Sequence, residues 1–212
     1  MKLLLATHNG HKRREFARLF ERSAPDGVEV DALPGTVTMP PEDGETFAEN
    51  ALGKARAAAA ATGRVSIADD SGIAAAALGG APGVRSARYA GEHATDAQNL
   101  AKLLREVPAG SALEYVCVIA YVDPASGVER VFEGRCSGRL AAEPCGEGGF
   151  GYDPAFVPDE RPSGDEGRAG DEISSVEGEP ALTMAELSDD QKDGISHRGR
   201  AARALLEWLH SG

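Results

Sequence analysis

The chain is short of several things that would announce a large class of protein. Cysteine is limited to Cys117, Cys136 and Cys145 in 212 residues, with no C-x-x-C spacing. That suggests neither a zinc site nor a disulfide framework, and the three read as reduced or buried thiols. Lysine and arginine are scarce beside the acids, 22 against 34, and the resulting formal charge of −12 argues against wrapping nucleic acid, whose binding rests on neutralising phosphates. It does not exclude a small anionic ligand, because a local cationic pocket or a metal overcomes a distant negative field. No apolar run is long enough to span a bilayer. The opening run Met1–Ala6 is ended by Thr7-His8-Asn9 too early for a signal segment, so a cytoplasmic protein with no membrane partner is expected.

What is present is ordinary globular composition, 42% hydrophobic and 26% charged, in a chain long enough for one sizeable domain. Residues 2–6 are nearly all apolar and suit a buried strand. Residues 10–22 read as a helix with Phe16, Leu19 and Phe20 on one face, and 28–33 as a second short strand. Thr46-Phe47-Ala48-Glu49 and Thr95-Asp96-Ala97-Gln98 are capping-box signatures that open helices to about residues 61 and 107. The stretch 113–123 is apolar on both faces, which predicts a central strand, and the turn Pro124–Gly127 returns it as a hairpin over 128–140. A last helix is expected to begin near His197. Strands and helices mix without a strict βαβ repeat, which predicts an α/β protein with a mixed sheet. Residues 159–180 carry eight acids against Arg161 and Arg168, and are expected to form an acidic flexible insert.

Five places carry chemistry. Asp69-Asp70-Ser71-Gly72 follows the apolar run 65–68, so two adjacent carboxylates stand at the end of a strand-like segment, costly to bury without a cation. Glu42, in a loop before the capped helix, could complete a hard oxygen site for a divalent metal, or simply complement the helix dipole. Thr7-His8-Asn9-Gly10-His11-Lys12 joins a strand to a helix; it reads equally as a phosphate-binding helix N-terminus or as an N-cap before a basic solvent face. Gly148-Gly149-Phe150-Gly151-Tyr152-Asp153-Pro154 would let backbone and rings approach a flat ligand, or would be a turn whose aromatics fill the core. Ile195-Ser196-His197-Arg198-Gly199, with Lys192 before it, puts cations at a helix start against the dipole, which calls for an anionic or oxygen-rich partner unless both are solvated.

Taken in order, and with Phe47-Ala48-Glu49-Asn50-Ala51 and Gly79-Gly80-Ala81-Pro82-Gly83, these pieces make the chain resemble the inosine/xanthosine triphosphate pyrophosphatase family from residue 3 to about 209. The resemblance implies a single domain over residues 1–212 in two lobes, an α/β fold with a long mixed sheet flanked by helices and an active-site cleft between the lobes, and a homodimer. It implies Mg²⁺-dependent hydrolysis of deaminated purine nucleoside triphosphates (XTP, ITP, dITP) to the monophosphate and pyrophosphate. By that resemblance Asp70 is the proton acceptor and a metal ligand, and Glu42 the second metal-site carboxylate. Thr7, His8, Asn9, Gly10, His11 and Lys12, with Ser71 and Lys192, bind substrate, chiefly its phosphates. Phe150, Gly151, Tyr152, Asp153, His197 and Arg198 form the base pocket. Asp69 is expected as support. The acidic insert is longer than the family pattern, and Glu45 lies outside it. Two rivals stand beside this reading. One is a nucleotide-binding regulator without turnover, against which the adjacent acids speak. The other is a metal-free hydrolase with paired carboxylates, which leaves Lys12 and Lys192 unexplained.

Overall fold

The computed structural model describes residues 1–24, 27–162 and 181–211. Six strands form one sheet: β1 (Lys2–Leu5), β2 (Glu29–Ala32), β3 (Ser66–Ala75), β4 (Ala112–Val122), β5 (Glu129–Leu140) and β6 (Phe156–Pro158), in the order β2-β1-β3-β4-β5-β6. β1 is parallel to both its neighbours; the remaining pairs are antiparallel. Among the described residues there are five α-helices: α1 (Gly10–Ser23), α2 (Phe47–Thr62), α3 (Asp96–Glu106), α4 (Asp189–Ile195) and α5 (His197–Ser211). The mixed α/β architecture matches the sequence expectation. The acidic stretch falls, from residue 163 to 180, outside the described residues.

Local chemistry explains the helix starts. Thr46 and Thr95 each accept from the backbone three residues on while Glu49 or Gln98 reaches back, so both capping boxes form. Gly63, at φ 68°, closes α2 in the left-handed conformation that costs other residues energy. The alanine face of α2 (Ala51, Ala55, Ala58, Ala59) lies against Leu4, Ala68, Val118 and Ala120 on one face of the sheet. On the other face Phe16, Leu19 and Phe20 of α1 and Ala201, Ala202 and Leu205 of α5 pack on Leu3, Leu5, Ile67 and Ile119. A third cluster, around Ile73, Leu103, Leu113, Tyr115, Phe156 and Met184, fills the far end of the long hairpin.

This order positions a site. From β1 the chain crosses through α1 to β2 on one side, then returns through α2 to β3 on the other. The carboxyl end of β1 is therefore a point where strand order reverses, and crevices in open α/β sheets form there. The turn from Ala6 to Asn9 occupies that point.

Candidate active site

The acidic pair does not end a strand. β3 continues to Ala75, and Asp69, Asp70 and Ser71 pair with Ile119, Val118 and Cys117 of β4. The strand crosses from the first two cores to the third, and the carboxylates sit at the seam: Ile67 and Ala68 are packed before them, Ile73 and Ala75 after. Continuation through the pair needs Gly72, where a β-carbon would lie 2.4 Å from the Gly83 carbonyl oxygen and 2.5 Å from Ser86 Oγ. Because strand side chains alternate, Asp69 and Asp70 face opposite sides of the sheet.

Each carboxylate has its own partners. Asp69 lies 3.0 Å from Lys12 Nζ and 3.3 Å from Arg198 Nη2, both through Oδ2. Burial pushes its carboxyl up, but Lys12, Arg198 and Lys54 together outweigh that and hold it well below the ordinary value. Asp70 Oδ2 accepts from Asn50 Nδ2 at 2.9 Å, and Oδ1 lies 3.4 Å from Lys54 Nζ. Burial pushes the Asp70 carboxyl above its ordinary value; Lys54 pulls against this without cancelling it, and Glu42 adds to the push. Lys54 also pairs with Glu42, so the carboxylates of Glu42 and Asp70 converge on one ammonium. Two hard oxygen donors aimed at one cation fit a divalent metal that takes its remaining ligands from water and phosphate.

The cations at the start of α5 are not solvated. Arg198 is buried, and its Nη2 donates to Ser71 Oγ at 2.8 Å and to Asp69, its Nε to Asp69 at 3.4 Å, and its Nη1 to Glu15. These bonds engage four of the five guanidinium hydrogens. Internal carboxylates, rather than a ligand alone, are what make a cation tolerable at that helix end. His197 is buried as well and stacks on Tyr115, with centroids 4.5 Å apart and planes at 7°. Burial and then Arg198 push its imidazole well below the usual value, which keeps it neutral. Its Nδ1 has no hydrogen-bond partner among the described residues.

Glu15 joins this centre from α1. Its carboxylate accepts from Lys192 Nζ at 2.7 Å and from Arg198. Burial would raise its carboxyl, but Arg198 and Lys192 hold it at about 2. Lys192 also donates to Asp153 Oδ2 at 2.8 Å, and Asp153 accepts from Tyr115 OH at 3.1 Å and from Phe150 N–H at 2.8 Å. Lys192 was expected chiefly at the phosphates; the structure places it with the aromatic turn. Gly149, at φ 69°, permits that closure, since a β-carbon there would lie 2.1 Å from Asp153 Oδ2. The turn is tied across the cleft by Tyr152 OH to the Ser86 carbonyl at 2.8 Å and by Gly151 N–H to Asp96 at 3.1 Å.

A cavity of about 340 Å³ gathers most of the expected residues: Thr7, His8, Asn9, Lys12, Glu42, Asp70, Ser71, Phe150, Gly151, Tyr152, Asp153, Lys192, His197 and Arg198. Gly10 and His11 do not line it. Asn9 caps α1, its Oδ1 accepting from the His11 and Lys12 amides at 2.9 and 3.2 Å. Sequence reasoning missed Glu15, Lys54, Asn50 and Asp96. Asn50 stands in the quoted segment 47–51, and Asp96 in a capping box, so both had a signal. Glu15 and Lys54 looked like exposed helix charges.

Known proteins resemble this chain along nearly its whole length. The Ham1 family matches residues 3–208. A dITP/XTP pyrophosphatase of Corynebacterium glutamicum (strain R) is 46% identical, covering 99% of this chain and 97% of that protein. One from Geobacillus kaustophilus is 45% identical, covering 97% and 93%. Among solved structures, a HAM1 protein from Coxiella burnetii covers the whole of both chains at 34% identity with a TM-score of 0.81. A nucleoside-triphosphatase / dITP/XTP pyrophosphatase from Mycobacterium abscessus is 42% identical over 97% of this chain and 99% of that one, with a TM-score of 0.67. With one family matched along nearly its whole length and relatives at this identity, the chain belongs to the Ham1 family.

Proposed function

We propose that this protein hydrolyses deaminated purine nucleoside triphosphates, dITP, XTP and ITP, to the monophosphate and pyrophosphate with Mg²⁺, clearing them from the nucleotide pool before they enter DNA or RNA. The observation that carries this reading is the arrangement of one cavity. Its one side presents a helix N-terminus with Lys12 beside the Glu42–Asp70 pair; its other side presents Phe150 and Tyr152 with Lys192, His197 and Arg198. The relatives named as dITP/XTP pyrophosphatases support it. A homodimer rests on the family resemblance alone, and a cytoplasmic setting on the sequence expectation.

At the phosphate end, Lys12, with Thr7 and Asn9 from the turn that leads into α1, would hold the polyphosphate. Glu42 and Asp70 would hold the metal, which supplies charge neutralisation on the phosphoryl oxygens. The need for that charge follows from the site itself: Lys12, Lys54, Lys192 and Arg198 face Glu15, Glu42, Asp69, Asp70 and Asp153, a formal balance of −1 before any triphosphate arrives. Asp70, with its raised carboxyl, accepts the proton of the water that opens the bond between the α- and β-phosphates.

At the base end, among the described residues, two cations keep donors to spare. Counted over the described residues, Arg198 retains one N–H and Lys192 one of its three. Both suit the 6-oxo group of hypoxanthine or xanthine and leave the 6-amine of adenine unpaired, a mismatch that polar sites can reject by a factor of roughly 10⁴. The same donors accept guanine, whose exclusion requires contacts at the 2-position. The test is a panel of nucleoside triphosphates with Mg²⁺, scored for monophosphate and pyrophosphate. Fast release from ITP, dITP and XTP with slow release from ATP is expected; equal rates on ATP, or no release at all, overturn the reading.

A further inference from the structure

The Phe150 ring is half-buried, lines the cavity, and sits in a turn between Gly149 and Gly151, both at positive φ. Neighbouring glycines have no side chains to fix a ring's orientation, so whatever holds Phe150 comes from elsewhere. Among the described residues, two cations and one aromatic ring stand close to it. Lys192 Nζ and Arg198 Cζ lie 5.5 and 5.6 Å from the ring centroid, and both line the cavity. The third is His11, whose ring centroid is 5.1 Å away with the planes inclined at 33°.

His11 does not belong with its neighbours in the Thr7–Lys12 turn. Its side chain is exposed and lies outside the cavity lining that includes Thr7, His8, Asn9 and Lys12. Its amide is fixed by Asn9 Oδ1 at 2.9 Å and its Nδ1 stands 3.0 Å from Arg14 Nη2. With backbone and ring anchored within the first turn of α1, the imidazole is held beside the Phe150 ring while lying outside the cavity lining. The separation and tilt are those of a favourable aromatic pair.

We propose that His11 is a positioning residue for the base: it backs the Phe150 ring and holds it as the wall on which the purine stacks, and it makes no contribution to phosphate binding. The inference rests on the reading of this cavity as a purine triphosphate site. It links the two ends of the substrate through one helix turn, since the residue that backs the base wall adjoins Lys12 at the phosphates.

The experiment compares the wild-type chain with His11→Ala and His11→Phe, using ITP with Mg²⁺ as substrate and pyrophosphate as inhibitor. His11→Ala is expected to raise KM about five-fold, the scale of one aromatic pair, with kcat held. Pyrophosphate, which touches only the phosphate end, should inhibit it as it does the wild type, and His11→Phe should restore KM. Because the ring is exposed, the melting temperature should stay at the wild-type value. An unchanged KM in His11→Ala overturns the inference, as does a parallel loss of pyrophosphate inhibition, which would return His11 to the phosphates. A wild-type chain that releases no pyrophosphate from any purine triphosphate overturns the reading of the site itself; a cleaving wild type with an indifferent His11→Ala variant overturns only the role of His11.

Discussion

Asp69 and Asp70 are adjacent in the chain yet address different cations: Asp69 meets Lys12 and Arg198, and Asp70 meets Lys54. Their substitutions should therefore fail in different ways. Asp70→Asn removes the proton acceptor while its amide still occupies the space beside Asn50, so pyrophosphate release should fall by about 10³-fold or more with stability retained. Asp69→Asn leaves Lys12 and Arg198 short of a buried counter-charge, and urea denaturation should show a loss of about 3 kcal/mol. Turnover near the wild-type level in Asp70→Asn would remove it from the chemistry.

Glu15 predicts a feature of the acid limb. Its carboxyl is held at about 2 in the fold against an ordinary value of 4.5. A depressed carboxyl stabilises the fold above the unfolded value, and that contribution is lost as pH falls from 4.5 through about 2. The amount is on the order of 3 kcal/mol. Glu15→Gln should be less stable than wild type at neutral pH, and the difference should shrink across that window. A difference independent of pH from 6 to about 2 would contradict the assignment.

Lys54 bridges Glu42 and Asp70 from within a buried position. Lys54→Met brings two carboxylates together with no cation between them, and should cost about 3 kcal/mol in chelator-containing buffer. Added Mg²⁺ should raise the melting temperature of Lys54→Met more than that of wild type. Equal shifts would mean that the two carboxylates do not share a cation position.

Lys192 reaches both Asp153 and Glu15 and keeps one hydrogen for a ligand. Lys192→Met should lower the ratio of kcat/KM for ITP over ATP by about ten-fold, the worth of one charge-assisted hydrogen bond. If kcat/KM falls equally for both nucleotides, Lys192 serves the phosphates instead.

Much of the fold is legible in the sequence because local signals agree with it. The Thr-x-x-Glu and Thr-x-x-Gln signatures mark α2 and α3 to within a residue, and the two apolar faces of 113–122 mark β4 as central. The same signature opens α4 at Ser188–Gln191, but a helix of seven residues has no room for an apolar stripe to announce it. β3 is misread as ending at Asp69 because carboxylates normally close strands; only partners distant in the chain, Lys12 and Arg198, make them tolerable in its middle. Glu15 is hidden for the same reason. It follows Arg13 and Arg14 on α1 and looks like a solvated face, while Lys192 and Arg198, the residues that bury it, lie 177 and 183 positions away.

The pairing of β3 with β4 has a consequence for how such a site can vary. A strand's side chains alternate, so a slip of one residue in the register would send every side chain to the opposite face. Asp70 would then point towards Lys12 and Asp69 towards Lys54, but Ile67 and Ile73 would leave their cores in the same movement. The apolar residues on either side thus act as a clamp on the chemistry between them. Insertions and deletions are tolerable in the loops that lead to β3, but not within it, and the distinct duties of two neighbouring aspartates are preserved by isoleucines that never touch the substrate.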